Sequence, residues 1–298
     1  MQYLPLQLKI QRKCFVQSKG GGKSIASIIA TFGYTTVCAM NEYEQQVSLE
    51  LTKWQHKMLR RPSFLNKLAK RVQTKLNNYI PEKVHKAITV AIKQMSRLVL
   101  LGAEYITDKK AINGSLELKE AVIKERINFY KKTAAAEGGL TGAGGILLGI
   151  ADFPLLLGIK MKLLFDIGAM YGFDVKDYKE RLYILFIFQL AFSSQETVQN
   201  VYKKLEDWPE HSKNLPEDIN QFDWRIFQQE YRDYIDLAKM AQLVPIIGAP
   251  VGAVVNYRLI KKLGFTAMNA YRLRYFQMNM LETATSPYLE DKPQGQPL

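Results

Sequence analysis

The side chains best suited to chemistry are few and poorly grouped. Lys19 to Ser24 reads KGGGKS, the ending of a glycine-rich loop whose backbone N–H groups cradle phosphates. That loop also needs a glycine five positions before Gly22, where Gln17 stands, and a buried strand ahead of it, so a flexible leader is the better reading. His56, His85 and His211 are scattered, with no pair one helical turn apart and no cysteine beside them. They suit surfaces and caps, and no metal site is expected. Asp152 and Asp166 border an apolar segment and could be pictured as a pair for acid and base work. Asp152, two residues before Pro154, reads more simply as an N-cap. No G-x-S-x-G elbow, zincin or kinase pattern occurs. The expectation is a protein without catalytic residues, metal or cofactor.

The elements that carry these residues read as helices. From Met40, Val47, Leu51, Trp54 and Met58 recur at helical spacing on one face, with Lys53, Lys57, Arg60 and Arg61 on another. Pro62 and Ser63 break the pattern. A second amphipathic helix follows with Phe64, Leu65, Leu68, Val72 and Leu76 against Lys67, Lys70, Arg71 and Lys75, and a third runs from Pro81 to about Tyr105. A polar turn at Thr107 to Gly114 precedes a helix from Ser115 to about Ala136. Gly138 to Ile159 then reads GGLTGAGGILLGIADFPLLLGI, seven glycines in an apolar run. Its uncharged part before Asp152 falls short of the roughly 18 to 20 residues that span a bilayer, which favours a buried hairpin or a re-entrant segment.

Lys160 to Tyr171 continue as a helix with Lys160, Lys162 and Asp166 at polar positions and Gly172 as its cap. Leu182 to Phe192 reads as a fully buried helix. A polar linker spans Asp207 to Phe222, and Asp223 opens a helix to about Leu243. Leu243 to Tyr257, LVPIIGAPVGAVVNY, echoes the first glycine-rich stretch and leads into a basic helix. Both stretches carry glycines four apart, Gly138 with Gly142, Gly145 with Gly149, and Gly248 with Gly252, a spacing that lets two helix backbones approach closely. The fold class expected is all-α, a helical bundle with two glycine-rich apolar hairpin segments packed together. Residues 1–39 read as a disordered leader or a mis-assigned start, 40–285 as the helical domain, and 286–298 as a disordered tail.

Hydrophobic residues at 47% and charged ones at 23% are ordinary for a globular chain, so a packed core is expected. The net charge of +13 is concentrated in the front half. Residues 1–39 carry five bases and no acid, and 40–132 hold 19 basic against 9 acidic residues, while the remainder is slightly acidic. Such a front suits an anionic lipid surface or nucleic acid. No recognition helix with paired Asn, Gln and Arg and no aromatic sheet is legible, so no nucleic acid is expected. Both cysteines, Cys14 and Cys38, fall in the leader, which leaves no disulfide framework in the body and fits a reducing compartment. The expected membrane-surface contacts are Lys53, Trp54, Lys57, Arg60, Arg61, Lys67, Lys70, Arg71 and Lys75, with Phe64 and Tyr79 as further interfacial anchors.

Three blocks together resemble the EcsC protein family of bacteria: YEQQVSLELTKWQHKMLRRPSFLNKLAKRVQTKLNNYIPEKVHKAI, AAAEGGLTGAGGILLGIADFPLLLGIKMKLLFDIGAMYGFD and LVPIIGAPVGAVVNYRLIKKLGFTAMNAYRLRYF. The resemblance covers about Asn41 to Phe276. Its family-like positions are Glu137, Gly138, Gly139, Gly144, Gly145, Asp152, Pro154, Pro245, Gly248, Gly252, Asn256, Tyr257 and Arg258. The resemblance implies a helical protein of unestablished activity, and a role near an ABC transporter or secretion system. No catalytic residues come with it. The leading expectation is a non-enzymatic accessory protein, peripheral on the inner face of the cytoplasmic membrane or partly inserted, with transporter or secretion subunits as further partners. The alternatives are an enzyme acting on a lipid or other hydrophobic substrate held between the glycine-rich hairpins, and a soluble helical interaction module.

Overall fold

A computed structural model describes residues 40–60, 90, 107–143, 145–193, 197–218, 221 and 249–285. Among them are seven helices and no strand: α1 Glu42–Leu59, α2 Leu116–Ala143, α3 Gly145–Tyr171, α4 Tyr178–Phe192, α5 Val198–Glu206, α6 Trp208–Lys213 and α7 Ala249–Thr285. The all-α expectation holds. The helices expected at 64–76 and 223–243 lie outside the described residues, and of the one expected at 81–105 only Val90 is described, in helical conformation. The chain divides into two compact units, of which one holds the described residues 40–57 and 272–285 and the other those from 58 to 271.

In the smaller unit, α1 begins on a reciprocal cap. Asn41 Oδ1 accepts the Glu44 N–H at 2.9 Å and Glu44 Oε2 accepts the Asn41 N–H at 3.2 Å, which satisfies two donors that a helix start leaves open. Val47, Leu51 and Trp54 are buried on one face. Glu50 and Glu44 on the same helix receive Arg272 at 3.1 Å and the Tyr275 hydroxyl at 2.8 Å from the last turns of α7.

The larger unit is built on α2, α3 and the first part of α7. Gly114 adopts φ +123°, a left-handed conformation open chiefly to glycine, and Ser115 Oγ then accepts the Leu118 N–H at 3.3 Å to start α2. Leu116, Ile123, Ile127, Tyr130 and Ala134 form its buried stripe. The helix does not stop near Ala136. It continues through Gly138 and Gly139 to Ala143, and Gly138 there serves a close packing contact rather than a turn.

Helix α3 is buried nearly all round from Leu156 to Tyr171, as a central helix must be. Asp152 and Pro154 lie well inside it, so Asp152 is not an N-cap: the helix starts seven residues earlier. Lys160 and Asp166, expected at polar positions, are both fully buried. The expected glycine cap is present. Gly172 takes φ +104°, its N–H reaches Ala169 O at 2.9 Å, and the Phe173 N–H reaches Gly168 O at 3.1 Å, the two bonds that close a Schellman motif.

Asp177 caps α4 through a 3.0 Å bond from the Lys179 N–H, and Leu182 to Phe192 are buried throughout. Within the stretch expected as a polar linker from Asp207 to Phe222, Trp208–Lys213 form α6, with Pro209 in its first turn. Trp208, 4% exposed, explains why: its ring packs 5.1 Å from that of Tyr183. Of the second glycine-rich stretch, Ala249 to Tyr257 are the opening turns of the single helix α7, while residues 243–248 lie outside the described ones.

Candidate functional site

Where α2, α3 and α7 meet, backbone is packed on backbone. A Cβ on Gly138 would lie 2.7 Å from the Gly252 carbonyl oxygen, and one on Gly264 would lie 2.9 Å from the Ile127 side chain. Such distances are below any van der Waals contact, so only glycine fits. Helix α7 runs antiparallel to α2, since Gly138 meets Gly252 and Ile127 meets Gly264. The two glycine-rich stretches therefore do touch, through Gly138 and Gly252. The side chains at 145–154 and all of Gly248 lie outside the described set, so the facing of Gly145 and Gly149 on Gly248 is not among the contacts.

One turn further along α7, Asn256 Oδ1 accepts Lys160 Nζ at 3.3 Å, and the Leu156 carbonyl accepts it at 3.2 Å. No carboxylate balances this ammonium among the described residues. Burial alone pushes the Lys160 pKa down to about 7, because a charge loses its hydration in a low-dielectric core. Sequence spacing held the signal: Leu156, Leu157, Leu163 and Leu164 surround Lys160 on one helix face.

A second polar group lies two turns away. Asp166 Oδ2 accepts Arg126 Nε at 2.7 Å and the Tyr130 hydroxyl at 2.8 Å, while Oδ1 accepts the Thr107 hydroxyl at 2.5 Å. Burial, then the Asp166 bond, holds the Tyr130 hydroxyl above its ordinary pKa. For Arg126 burial works downward, but the bond to Asp166 and its charge outweigh it and raise the pKa. Both Asp166 oxygens are engaged, which suits fixing the 107–114 turn and α2 onto α3 rather than proton abstraction. Asp152 is 14 positions earlier on the same helix, about 21 Å along its axis, too far for the two carboxylates to share a reaction.

Two more buried carboxylates brace the far end. Tyr171 donates to Glu120 at 3.1 Å and Tyr271 to Glu180 at 2.8 Å, with the two tyrosine rings stacked at 5.4 Å. Glu120, Glu180 and Lys160 escaped sequence reading because a charged letter counts as surface until its partner is known. No group of His, Cys, Asp and Glu with metal-binding geometry occurs among the described residues.

The expected surface contacts divide. Lys53, Lys57 and Arg60 are exposed. Trp54 is 5% exposed, so it belongs to the core and is no interfacial anchor: it shares the face of Val47 and Leu51. Arg61, Phe64, Lys67, Lys70, Arg71, Lys75 and Tyr79 lie outside the described residues. Of the family-like positions, Gly138, Gly252 and Asn256 come together in the core and Glu137 and Gly139 are half-buried beside them. Gly145, Asp152 and Pro154 have only their helical backbone described. Tyr257 and Arg258 are exposed, Tyr257 beneath Lys131 Nζ at 4.9 Å. Gly144, Pro245 and Gly248 lie outside the described residues.

This junction of glycine, asparagine and tyrosine falls within residues 45–276, which match the EcsC protein family as a whole. The chain belongs to the EcsC protein family. It is 47% identical over 231 residues to "Protein EcsC" of Bacillus subtilis (strain 168), an alignment covering 77% of this chain and 95% of that protein. It is 27% identical over 260 residues to "Uncharacterized protein YdbA" of the same organism, over 78% of this chain and 93% of that one. No solved structure matches. The EcsC match begins just inside α1 and ends in the last third of α7, so it takes in both compact units.

Proposed function

We propose that this EcsC-family chain is a non-enzymatic accessory protein held at the inner face of the cytoplasmic membrane. The observation that carries the reading is the outer face of α1. Lys53, Lys57 and the following Arg60 are exposed there, opposite buried Val47, Leu51 and Trp54, and the sequence runs on into Arg61, Lys67, Lys70, Arg71 and Lys75. Each cation close to an anionic bilayer contributes about 1 kcal/mol, screened over roughly 8 Å at physiological salt. No helix among the described residues is long and apolar enough to cross a membrane, which favours lying on the bilayer over spanning it. At the crossing of the two glycine-rich stretches the space between Gly138 and Gly252 is taken by backbone, which counts against a hydrophobic substrate lying there. Subunits of a membrane transporter or secretion system are the partners such a position would offer.

Cell fractionation tests the reading. The protein should sediment with membranes and be released by carbonate. Retention through carbonate until detergent is added would mean insertion, and recovery wholly in the soluble fraction would end the proposal.

A further inference from the structure

Helix α7 has an exposed face of different character from that of α1. Val254, Tyr257 and Phe265 are 49%, 40% and 51% exposed, and Arg258, Lys261 and Lys262 stand exposed among them. At about 1.5 Å per residue this face is roughly 17 Å long. It lies opposite the side that packs inward through Gly252, Asn256, Ile260, Leu263 and Ala267. No acid occurs from Ala249 to Leu281, so Arg258 and Lys261 have no acid within several turns along α7.

Apolar and aromatic side chains interleaved with bases along one face are the pattern of a helix that lies in a membrane interface. Bases interleaved with them select the partner. A protein groove would take the apolar groups and leave the cations to be desolvated, whereas an anionic bilayer interface takes both at once: phosphates meet Arg258 and Lys261 while Val254 and Phe265 enter the acyl boundary. The aromatic ring of Tyr257, with its polar edge, suits the headgroup level between them. We infer that the Val254–Phe265 face of α7 is the part of this protein that enters an anionic lipid interface. The inference rests on the membrane-surface reading above but concerns a separate surface, and it assigns apolar insertion here and electrostatic attraction alone to α1.

Full-length protein should be sedimented with vesicles of phosphatidylcholine containing phosphatidylglycerol, and with phosphatidylcholine alone. Arg258→Gln with Lys261→Gln should weaken binding to the anionic vesicles by about tenfold or more, while Lys132→Gln with Lys176→Gln, an equal charge change at exposed sites elsewhere, should shift it less than about twofold. Val254→Ser with Phe265→Ser should lower the binding that survives in high salt, where charge is screened. Unchanged thermal melting shows the variants are folded, as exposed positions allow. If the wild type binds but both α7 variants bind equally well, the inference fails and the membrane reading stands. If the wild type ignores anionic vesicles, both fail. Loss of oligonucleotide binding in Arg258→Gln with Lys261→Gln, with vesicle binding intact, would assign the face to nucleic acid and overturn the inference.

Discussion

Lys160 Nζ reaches Asn256 Oδ1 across 3.3 Å at a point where neither side chain meets solvent. The bond ties the central helix α3 to α7 one turn beyond the place where Gly138 and Gly252 touch. A charged lysine in that position works against the fold, and a neutral one does not.

The pH dependence follows from that. The Lys160 pKa is about 7 in the folded protein and 10.5 in its ordinary state, so between these values the unfolded chain holds a proton that the folded one has released. Stability contributed by this site therefore rises with pH from about 7 to 10.5, by up to about 1.4 kcal/mol per unit, and is flat below pH 7. Lys160→Met removes the titration. Chemical denaturation at pH 6 and at pH 10 should show the variant gaining relative to the wild type at pH 6 by a few kcal/mol, with that advantage shrinking at pH 10. An advantage independent of pH would show that Lys160 is not titrating in the core.

The glycine contact gives a paired test in two helical positions. Gly138→Ala places a methyl against the Gly252 carbonyl and should cost about 1 to 3 kcal/mol by overpacking. Gly158 has nothing within 4 Å of its would-be Cβ, so Gly158→Ala should gain up to about 1 kcal/mol from helix propensity. Urea titrations that find the two substitutions equal would contradict the close crossing. Gly114 is not a neutral control for such exchanges, because its φ of +123° strains any side chain placed there.

The Asp166 group should behave as a unit. Arg126→Met leaves a fully buried carboxylate with only hydroxyl donors, a loss of about 3 kcal/mol. Combining it with Asp166→Asn removes the stranded charge, so the double variant should be more stable than the sum of the two single losses by about 1 to 3 kcal/mol. Strict additivity in denaturant unfolding would mean that the pair is not coupled.

The sequence was readable wherever a helix is buried on one side or wherever a local signal fixes the backbone. The buried stripe of α1, the nearly all-apolar run from Leu182 to Phe192 in α4 and the cap at Gly172 follow from spacing and from glycine's conformational freedom. It misled where a tertiary contact overrode a local signal. The glycines from 138 onward looked like the end of α2 near Ala136, but the helix runs on to Ala143, and Gly138 packs against Gly252 as its spacing from Gly142 suggested. Asp152 before a proline looked like a cap, yet α3 begins at Gly145. Trp54 looked like an interfacial anchor because an amphipathic helix has two faces and aromatic residues suit either one. Lys160 was given to the solvent face by its charge alone, although the leucines around it already outlined a buried one.

The central claim is that the folded chain lies on an anionic membrane surface without crossing it, and flotation tests this most directly. Full-length protein mixed with vesicles containing phosphatidylglycerol should rise with them through a density gradient at low salt. It should stay at the bottom with neutral vesicles, and raising the salt should weaken its recovery in the floating fraction progressively. Protein that remains at the bottom with anionic vesicles at low salt would contradict the account.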